Sequence, residues 1–104
     1  MRPRRISFAP GFDRSLRKLS QEDRERAIEA VRHFIDRTAE NSLRTEKKQG
    51  LKGIWAFRVT DSIRAFYVQS RDGEGVYSEL FYVGQHDEYR AIQRKKPSAR
   101  GRGK

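Results

Sequence analysis

Two arginines lie inside the part of the sequence that otherwise looks most like β-strand. The segment LKGIWAFRVTDSIRAFYVQ, residues 51–69, carries Arg58 and Arg64 among aromatic and β-branched residues. A guanidinium group presents a planar fork of N–H donors that fits two oxygens of a phosphate or a carboxylate. The two arginines could therefore bind a phosphate backbone, or they could form ordinary cross-strand ion pairs. The carboxylates available for such pairs are those of Asp61, Glu79 and Asp87.

Charge is unevenly distributed along the chain. The formal net charge is +10, yet all 14 acidic residues lie between Ile6 and Ile92. Segment 20–40 carries more acidic than basic residues, whereas segment 44–71 is strongly basic. The basic residues of the second segment are Arg44, Lys47, Lys48, Lys52, Arg58, Arg64 and Arg71. Because this positive region coincides with the strand-like segment, it predicts a cation-lined surface of the kind that a phosphate backbone requires.

The end of the chain, QRKKPSARGRGK, is basic and has no large apolar residue after Ile92. Proline, glycine and like charges disfavour a packed element there. We therefore predict a single domain over residues 1–93 and a disordered basic tail over residues 94–104. Such a tail attracts any polyanion without distinguishing among them, or it serves only as a solubilising extension.

Length and composition exclude several classes of protein. A chain of 104 residues forms one domain with a small core. It has no cysteine, which excludes disulfides and thiolate metal sites, and its two histidines are not spaced as a metal-binding pair. We therefore expect neither a metal nor another cofactor. No window is apolar enough to span a membrane, and the N-terminus lacks the apolar core of a signal peptide, so we expect a cytoplasmic protein without a membrane partner.

The first half of the chain predicts a strand followed by two helices. The alternation in RISFAP is typical of a short strand that its proline ends. Three apolar residues then follow at the spacing of one helical face: Phe12, Leu16 and Leu19. Ser20 and Asp23 resemble a capping pair at the start of a second helix, which runs to about Ala39. The corner between the two helices is tight, which predicts an antiparallel helical hairpin.

The second half predicts three strands joined by short turns. Apolar and polar residues alternate along WAFRV and IRAFYV, the turn TDS lies between them, and RDGEG is a strong hairpin signal before VYSELFYV. Short turns make these strands antiparallel neighbours. The predicted fold class is therefore α+β, with an N-terminal strand, a helical hairpin and a three-stranded antiparallel meander. We expect the helical hairpin to cover one face of the sheet and the other face to stay open, with Arg58 and Arg64 on it.

The segment GIWAFRVTDSIRAFY resembles the sheet region of the RelE/ParE superfamily of bacterial toxin–antitoxin toxins. In that family a Leu-x-Gly step leads into an aromatic strand with an arginine, then a short turn, a second arginine and a tyrosine. The matching positions here are Leu51, Gly53, Trp55, Arg58, Arg64 and Tyr67. YVGQHDEYR resembles the family's last strand and the segment after it, and the order of elements also agrees. The resemblance covers roughly residues 6–90.

This resemblance implies a ribonuclease that cleaves mRNA, usually on the ribosome, and that needs no metal. Arg64 matches the family arginine on the scissile phosphate, and His86 falls where family members carry a catalytic histidine or arginine. Three further cations would hold flanking phosphates or add to the positive charge, and an aromatic residue would stack on a base or orient one. These residues are Arg58, Lys48 and Lys52, and Tyr89. The implied partners are a cognate antitoxin, mRNA and the ribosome.

The sequence departs from the family pattern where the general base is expected. Some members carry strand lysines at the positions of Trp55 and Phe57. Other members use a glutamate shortly before the Leu-x-Gly step, and Glu46 lies near that position at a slightly shifted register, so it is the candidate base. Two alternatives stay open. One is a gyrase poison of the ParE type, which shares the fold without the catalytic set, and the other is a non-catalytic member that only binds antitoxin or RNA.

Overall fold

The computed structural model describes residues 2–38, 43–48 and 51–97. It consists of a mixed β-sheet with helices on both faces. The strands are β1 (Ile6–Phe8), β2 (Glu46–Lys47), β3 (Trp55–Arg58), β4 (Ile63–Asp72) and β5 (Gly75–Gln85). The helices are α1 (Pro10–Arg17), α2 (Gln21–Asp36) and α3 (Tyr89–Lys95). The strand order is β1-β5-β4-β3-β2, with β1 parallel to β5 and all other neighbours antiparallel. The predicted α+β fold, with its N-terminal strand, helical pair and antiparallel meander, is confirmed.

Local signals account for the ends of the first two helices. Pro10 lies at the start of α1, where its fixed φ suits the helix and its missing N–H costs nothing. The predicted cap of α2 is confirmed, since the Ser20 Oγ accepts a hydrogen bond from the Asp23 N–H at 3.2 Å. The helix ends earlier than predicted, at Asp36, because Arg37 adopts a left-handed conformation with φ of 60°. Ala39 lies outside the described residues. Within the described ranges, no helix is both long and apolar enough to cross a membrane.

The hairpin between β4 and β5 forms where RDGEG predicted it. Asp72 pairs with Gly75, and the Asp72 carboxylate accepts a hydrogen bond from the Glu74 N–H at 2.9 Å inside the turn. Gly75 has a φ of 120°, a conformation that side chains with a Cβ rarely adopt. The turn chemistry therefore fixes which residues of the two long strands lie opposite each other near the turn.

Further along the hairpin, the register shifts by one residue. Tyr67 pairs with Leu80 and Phe66 pairs with Tyr82, so Phe81 is an extra residue on β5. Such a β-bulge moves every following side chain of the bulged strand to the face opposite the one that regular alternation assigns. This bulge therefore determines which residues near the end of β5 lie on the same face of the sheet as a given residue of β4.

The first core lies between the helical pair and the sheet, as predicted. The Phe34 ring of α2 stacks on Phe57 with ring centroids 4.5 Å apart and lies 4.9 Å from Tyr67. Leu80 and Val83 of β5 join the same cluster. Burial of these aromatic side chains, each contributing about 1.5–3 kcal/mol, fixes the helical pair on this face.

The prediction that the other face of the sheet stays open is wrong. A second core of buried residues covers it, made of Leu51, Ile54, Ala56, Phe66, Val68, Phe81 and Ile92. The physical reason is that β4 is apolar on both of its faces, so the second face also has to be removed from water. Helix α3 and segment 51–54 provide the cover. Because α3 extends to Lys95, regular structure continues past the predicted domain boundary at residue 93, and residues 98–104 of the predicted tail lie outside the described residues.

A buried serine connects α1 to β5 beyond the point where β1 ends. The Ser15 Oγ accepts a hydrogen bond from the Val83 N–H at 3.0 Å and lies 2.8 Å from the Gly11 carbonyl oxygen, to which it donates. Gly11 permits this close approach, because a Cβ there would lie 2.8 Å from the Phe81 carbonyl oxygen. Ser15 thus satisfies a strand N–H that no neighbouring strand reaches.

Replacing Ser15 by alanine should lower the free energy of unfolding by about 1–3 kcal/mol, because the Val83 N–H loses its buried acceptor. Urea denaturation followed by circular dichroism would measure the change. Ser62→Ala is the matched control, since Ser62 is exposed. Equal denaturation midpoints for the two variants would show that the Ser15 hydrogen bond contributes nothing to stability.

Candidate functional site

Arg58 and Arg64 are direct cross-strand partners at the turn between β3 and β4. Directly opposite residues share a face, and like charges in that position repel each other. The two arginines reduce this repulsion differently. Arg58 forms an ion pair with Asp61, one of the three carboxylates that the sequence offered for such a pair. Arg64 instead donates to the carbonyl oxygens of Thr60 at 2.7 Å and Asp61 at 3.1 Å.

The charge of Arg64 is therefore not neutralised by a carboxylate in contact with it, as far as the described residues show. The side chain is half-buried, and burial lowers its pKa, with the neighbouring Arg58 lowering it further. The charges of Glu46 and Asp61 raise the pKa of Arg64, and the charge of Arg44 lowers it. A half-buried guanidinium among like charges gains stability when an anion binds to it. Arg64 is thus oriented by three carbonyl oxygens, those of Thr60, Asp61 and Ile63, and its charge is available to an anion.

The short strand β2 brings Glu46 to the same face. Glu46 pairs with Ala56, two positions from Arg58, so the two side chains lie on one face of the sheet. The carboxylate is exposed and close enough to favour the charged form of Arg64. Arg44, which the sequence placed only in a basic stretch, belongs to the same charge cluster. No signal in the sequence predicted that Arg44 belongs to this cluster, because β2 is only two residues long.

His86 lies at the same end of the sheet as Arg64. Arg64 pairs with Gly84, and the His86 N–H continues this pairing by donating to the Ser62 carbonyl oxygen at 3.0 Å. Because of the bulge at Phe81, Gly84 is on the face of Arg64 rather than on the helix-covered face. The register therefore places Arg64 and the backbone of His86 at the same end of the hairpin, and the convergence of their side chains stays a prediction. His86 is half-buried.

Tyr82 is a residue of this region that the sequence did not single out. A Cβ at Gly84 would lie 3.0 Å from the Tyr82 ring and 3.2 Å from its hydroxyl oxygen, so the ring occupies the space across the strand from Arg64. The hydroxyl donates to the Glu88 carboxylate at 2.8 Å. Burial, followed by this hydrogen bond and the Glu88 charge, raises the pKa of Tyr82 to about 12. The one available signal was the glycine two positions after Tyr82 in an apolar strand.

The remaining predicted binding residues lie on the side of the site toward α3. The Lys48 Nζ lies 5.7 Å from the centroid of the Tyr89 ring, a cation–π contact that brings these two predicted residues together. Tyr89 is 44% exposed and is therefore accessible to a ligand. Lys52 lies beside the C-terminal end of α3, where its carbonyl oxygen accepts a hydrogen bond from the Lys96 Nζ at 3.0 Å, and its side chain is exposed.

A cleft of about 930 Å³ lies between α2 and the turn after β3. Its ionisable lining residues are Arg26, Glu29, His33, Arg44, Arg58 and Asp61. Arg58 lines this cleft and also stands opposite Arg64, so the cation cluster is accessible from there. In the described part of the chain, no three His, Asp or Glu side chains are grouped as metal ligands. One end of the sheet thus holds two guanidinium groups, the Glu46 carboxylate and the backbone of His86, and carboxylate and imidazole groups can accept and donate protons.

Comparison with known proteins shows which molecules share this fold. No protein-family model matches the sequence, and no curated protein matches it. The structure is similar to that of a YoeB/ParE toxin from Agrobacterium tumefaciens, with 20% identity, a TM-score of 0.56, and 79% of this chain and 98% of that chain covered. It is also similar to a free-state mutant of the E. coli toxin RelE, with 17% identity, a TM-score of 0.61, and coverage of 89% and 94%.

A third similar structure is the E. coli DinJ–YafQ toxin–antitoxin complex, with 19% identity, a TM-score of 0.56, and 81% of this chain and 93% of that chain covered. Identities this low establish a shared fold. The chain therefore has the fold of the RelE, YoeB and YafQ toxins, as the resemblance in the sequence predicted.

The raised pKa of Tyr82 predicts a specific loss of stability in alkaline solution. An unfolded tyrosine ionises near pH 10, whereas Tyr82 in the folded protein ionises near pH 12. The contribution of Tyr82 to the free energy of unfolding is therefore complete below pH 10 and is lost as the pH rises from 10 to 12. Because the ring is only partly buried, we expect a contribution on the order of 1 kcal/mol.

Urea denaturation at pH 9, 10 and 11 would measure this loss, and Tyr82→Phe is the reference because it keeps the ring and removes the hydroxyl. The wild-type protein should lose more stability than the variant over this interval, while Tyr77→Phe should behave as wild type. Parallel pH profiles for wild type and Tyr82→Phe would contradict the prediction.

Proposed function

We propose that this protein is the toxin of a type II toxin–antitoxin system and that it cleaves mRNA on the translating ribosome without a metal ion. Its fold is shared with the RelE, YoeB and YafQ toxins. The observation that carries the proposal is Arg64. This half-buried guanidinium lacks a contacting carboxylate among the described residues and lies at the same end of the sheet as His86. A phosphate diester supplies the anion that such a group lacks.

The proposed reaction is attack of a ribose 2′-oxygen on the adjacent phosphorus. A bond forms between the 2′-oxygen and phosphorus, the bond from phosphorus to the 5′-oxygen breaks, and a 2′,3′-cyclic phosphate and a 5′-hydroxyl result. A base removes the 2′ proton, an acid protonates the leaving 5′-oxygen, and a cation stabilises the charge that grows on the phosphate. No oxidant or metal is needed to balance this step.

The site residues divide these tasks among them. Arg64 binds the scissile phosphate, Glu46 removes the 2′ proton, and His86 protonates the 5′-oxygen, since an imidazole can act as a general acid. We assign the general base to Glu46 because the charge of its carboxylate raises the pKa of Arg64. Phe57, at a position where some family members carry a lysine, is fully buried in the first core.

The other predicted residues would hold the rest of the RNA. Arg58 would exchange the Asp61 carboxylate for a flanking phosphate. Lys48 lies against Tyr89, so a base stacked on the exposed tyrosine ring would bring its phosphate near the ammonium group. Lys52 would bind a phosphate further along the RNA strand. We place the protein in the cytoplasm, and we propose a cognate antitoxin as its protein partner because YafQ, which has this fold, is seen in complex with DinJ.

Replacing Arg64 or His86 by alanine should each lower the rate of RNA cleavage about a hundredfold or more, because the growing phosphate charge or the leaving oxygen loses its partner. Arg64→Lys should recover only part of the rate, since an ammonium cannot bind two oxygens as a fork. Cleavage of a reporter mRNA on purified translating ribosomes would give these rates.

His33→Ala is the matched histidine control. The His33 ring already contacts Thr38 and Glu29 along α2, so its loss should leave cleavage unchanged. If His86→Ala cleaved at the wild-type rate and His33→Ala did not, the site would have to lie in the cleft beside α2 instead.

Expression without an antitoxin should stop growth through loss of translation, with mRNA cut inside codons. Sequencing of RNA 5′ ends and a test for DNA breaks would separate this outcome from gyrase poisoning. Arrested growth with intact mRNA and broken DNA would support the gyrase poison. Normal growth at high expression would support the non-catalytic alternative and contradict both toxin activities.

A further inference from the structure

A second positively charged cleft lies between α1, α3 and the end of β5. Its volume is about 470 Å³, and four cations contribute to its lining: Arg14, Lys18, Arg94 and Lys95. The two helices approach closely here, since the Lys95 side chain lies 3.9 Å from the position that a Cβ on Gly11 would take. The cleft is therefore bounded on both sides by side chains rather than being a flat surface.

The charged side chains that line this cleft are mostly basic. None of the four makes a salt bridge within residues 2–38, 43–48 and 51–97, whereas Arg17 on the same helix α1 pairs with Asp13 at 2.9 Å. Glu88 is the carboxylate among the lining residues, and it accepts the hydrogen bond of Tyr82. The cleft thus keeps an excess of positive charge.

Helix dipoles explain only part of this arrangement. Arg14 lies in the last turn of α1, and Arg94 and Lys95 lie in the last turn of α3, where cations are favoured. That preference sets their positions along each helix. It does not require two separate helices to direct their cations into one cleft, where like charges repel each other unless an anion lies between them.

The cleft is continuous with the site around Arg64. Gly84, which pairs with Arg64, and Gln85, which precedes His86, both line it. Arg94 is close enough to the Tyr82 hydroxyl to act on its pKa. A linear polyanion with one phosphate on Arg64 could therefore continue past the end of β5 into the space between α1 and α3.

We propose that this α1–α3 cleft binds the backbone phosphates of single-stranded RNA next to the bond that is cleaved. The inference rests on the proposed ribonuclease function and adds to it a second binding site whose lining includes neither Lys48 nor Tyr89. RNA suits the cleft because its phosphates repeat along one strand and a groove of cations follows such a strand without reading its bases.

The experiment measures binding of a single-stranded oligonucleotide of mixed sequence in which every ribose is 2′-O-methylated, because this probe lacks the attacking hydroxyl and is not cleaved. Affinity is recorded against salt concentration. Each phosphate contact contributes about 0.7 to the slope of log affinity against log salt for a single strand. Lys18→Gln with Arg94→Gln should lower that slope by about 1.4 and weaken binding on the order of tenfold at 0.1 M salt.

The matched control is Arg17→Gln with Arg32→Gln, which removes the same charge from exposed residues that pair with Asp13 and Glu29 outside the cleft. The control should keep the wild-type slope, and both double variants should keep the wild-type melting temperature. Equal slopes for the cleft and control variants would overturn the proposal, because net charge alone would then explain binding.

Two further outcomes separate this inference from the function on which it rests. If the wild-type protein bound the probe with no dependence on salt, both the RNA function and the cleft would be contradicted. If the cleft variant kept the wild-type RNA slope but lost affinity for a poly-glutamate peptide, the cleft would accept an acidic protein segment, and the RNA proposal for it would be wrong while the ribonuclease proposal stood.

Discussion

The extra residue at Phe81 in the pairing of β4 with β5 determines how the rest of the molecule is arranged. With regular alternation, Gly84 would belong to the face covered by α1 and α2. The bulge places Gly84 on the face of Arg64 instead. It also lets Phe81 and Tyr82, which are adjacent in sequence, pack on the same side of the sheet. A single irregularity in the hydrogen-bonded ladder thus serves both the second core and the candidate site.

The second core connects stability to the candidate site. Ile92 of α3 is fully buried against Phe66 and Phe81, so the segment between β5 and α3 is held at both ends. The hydrogen bond from Tyr82 to Glu88 adds a restraint within this segment. His86 and Tyr89 therefore lie on a short connection whose position depends on the packing of α3. A sheet with an open second face would have left these residues without such support.

The basic side chains of the molecule differ in whether their charge is available to bind an anion. The exposed arginines of α1 and α2, such as Arg17 and Arg32, form ion pairs one helical turn away and contribute little beyond solubility. Arg64 donates instead to carbonyl oxygens, which orient it without neutralising its charge. Separating a cation from carboxylates in a half-buried position costs stability, and this cost is recovered when an anion binds.

The sequence by itself determined the elements that arise from local interactions. The cap at Ser20, the RDGEG turn and the alternation along β3 and β4 depend on neighbours in the chain, so the strands, the helical pair and the meander were predictable. The position of Arg64 across from Arg58 followed from the short turn between them. Only the tertiary structure decided that α3 closes the second face, that Phe81 bulges, and that Tyr82 lies over Gly84. These features depend on residues distant in sequence filling a shared space, and periodicity along one strand carries no information about the packing of another.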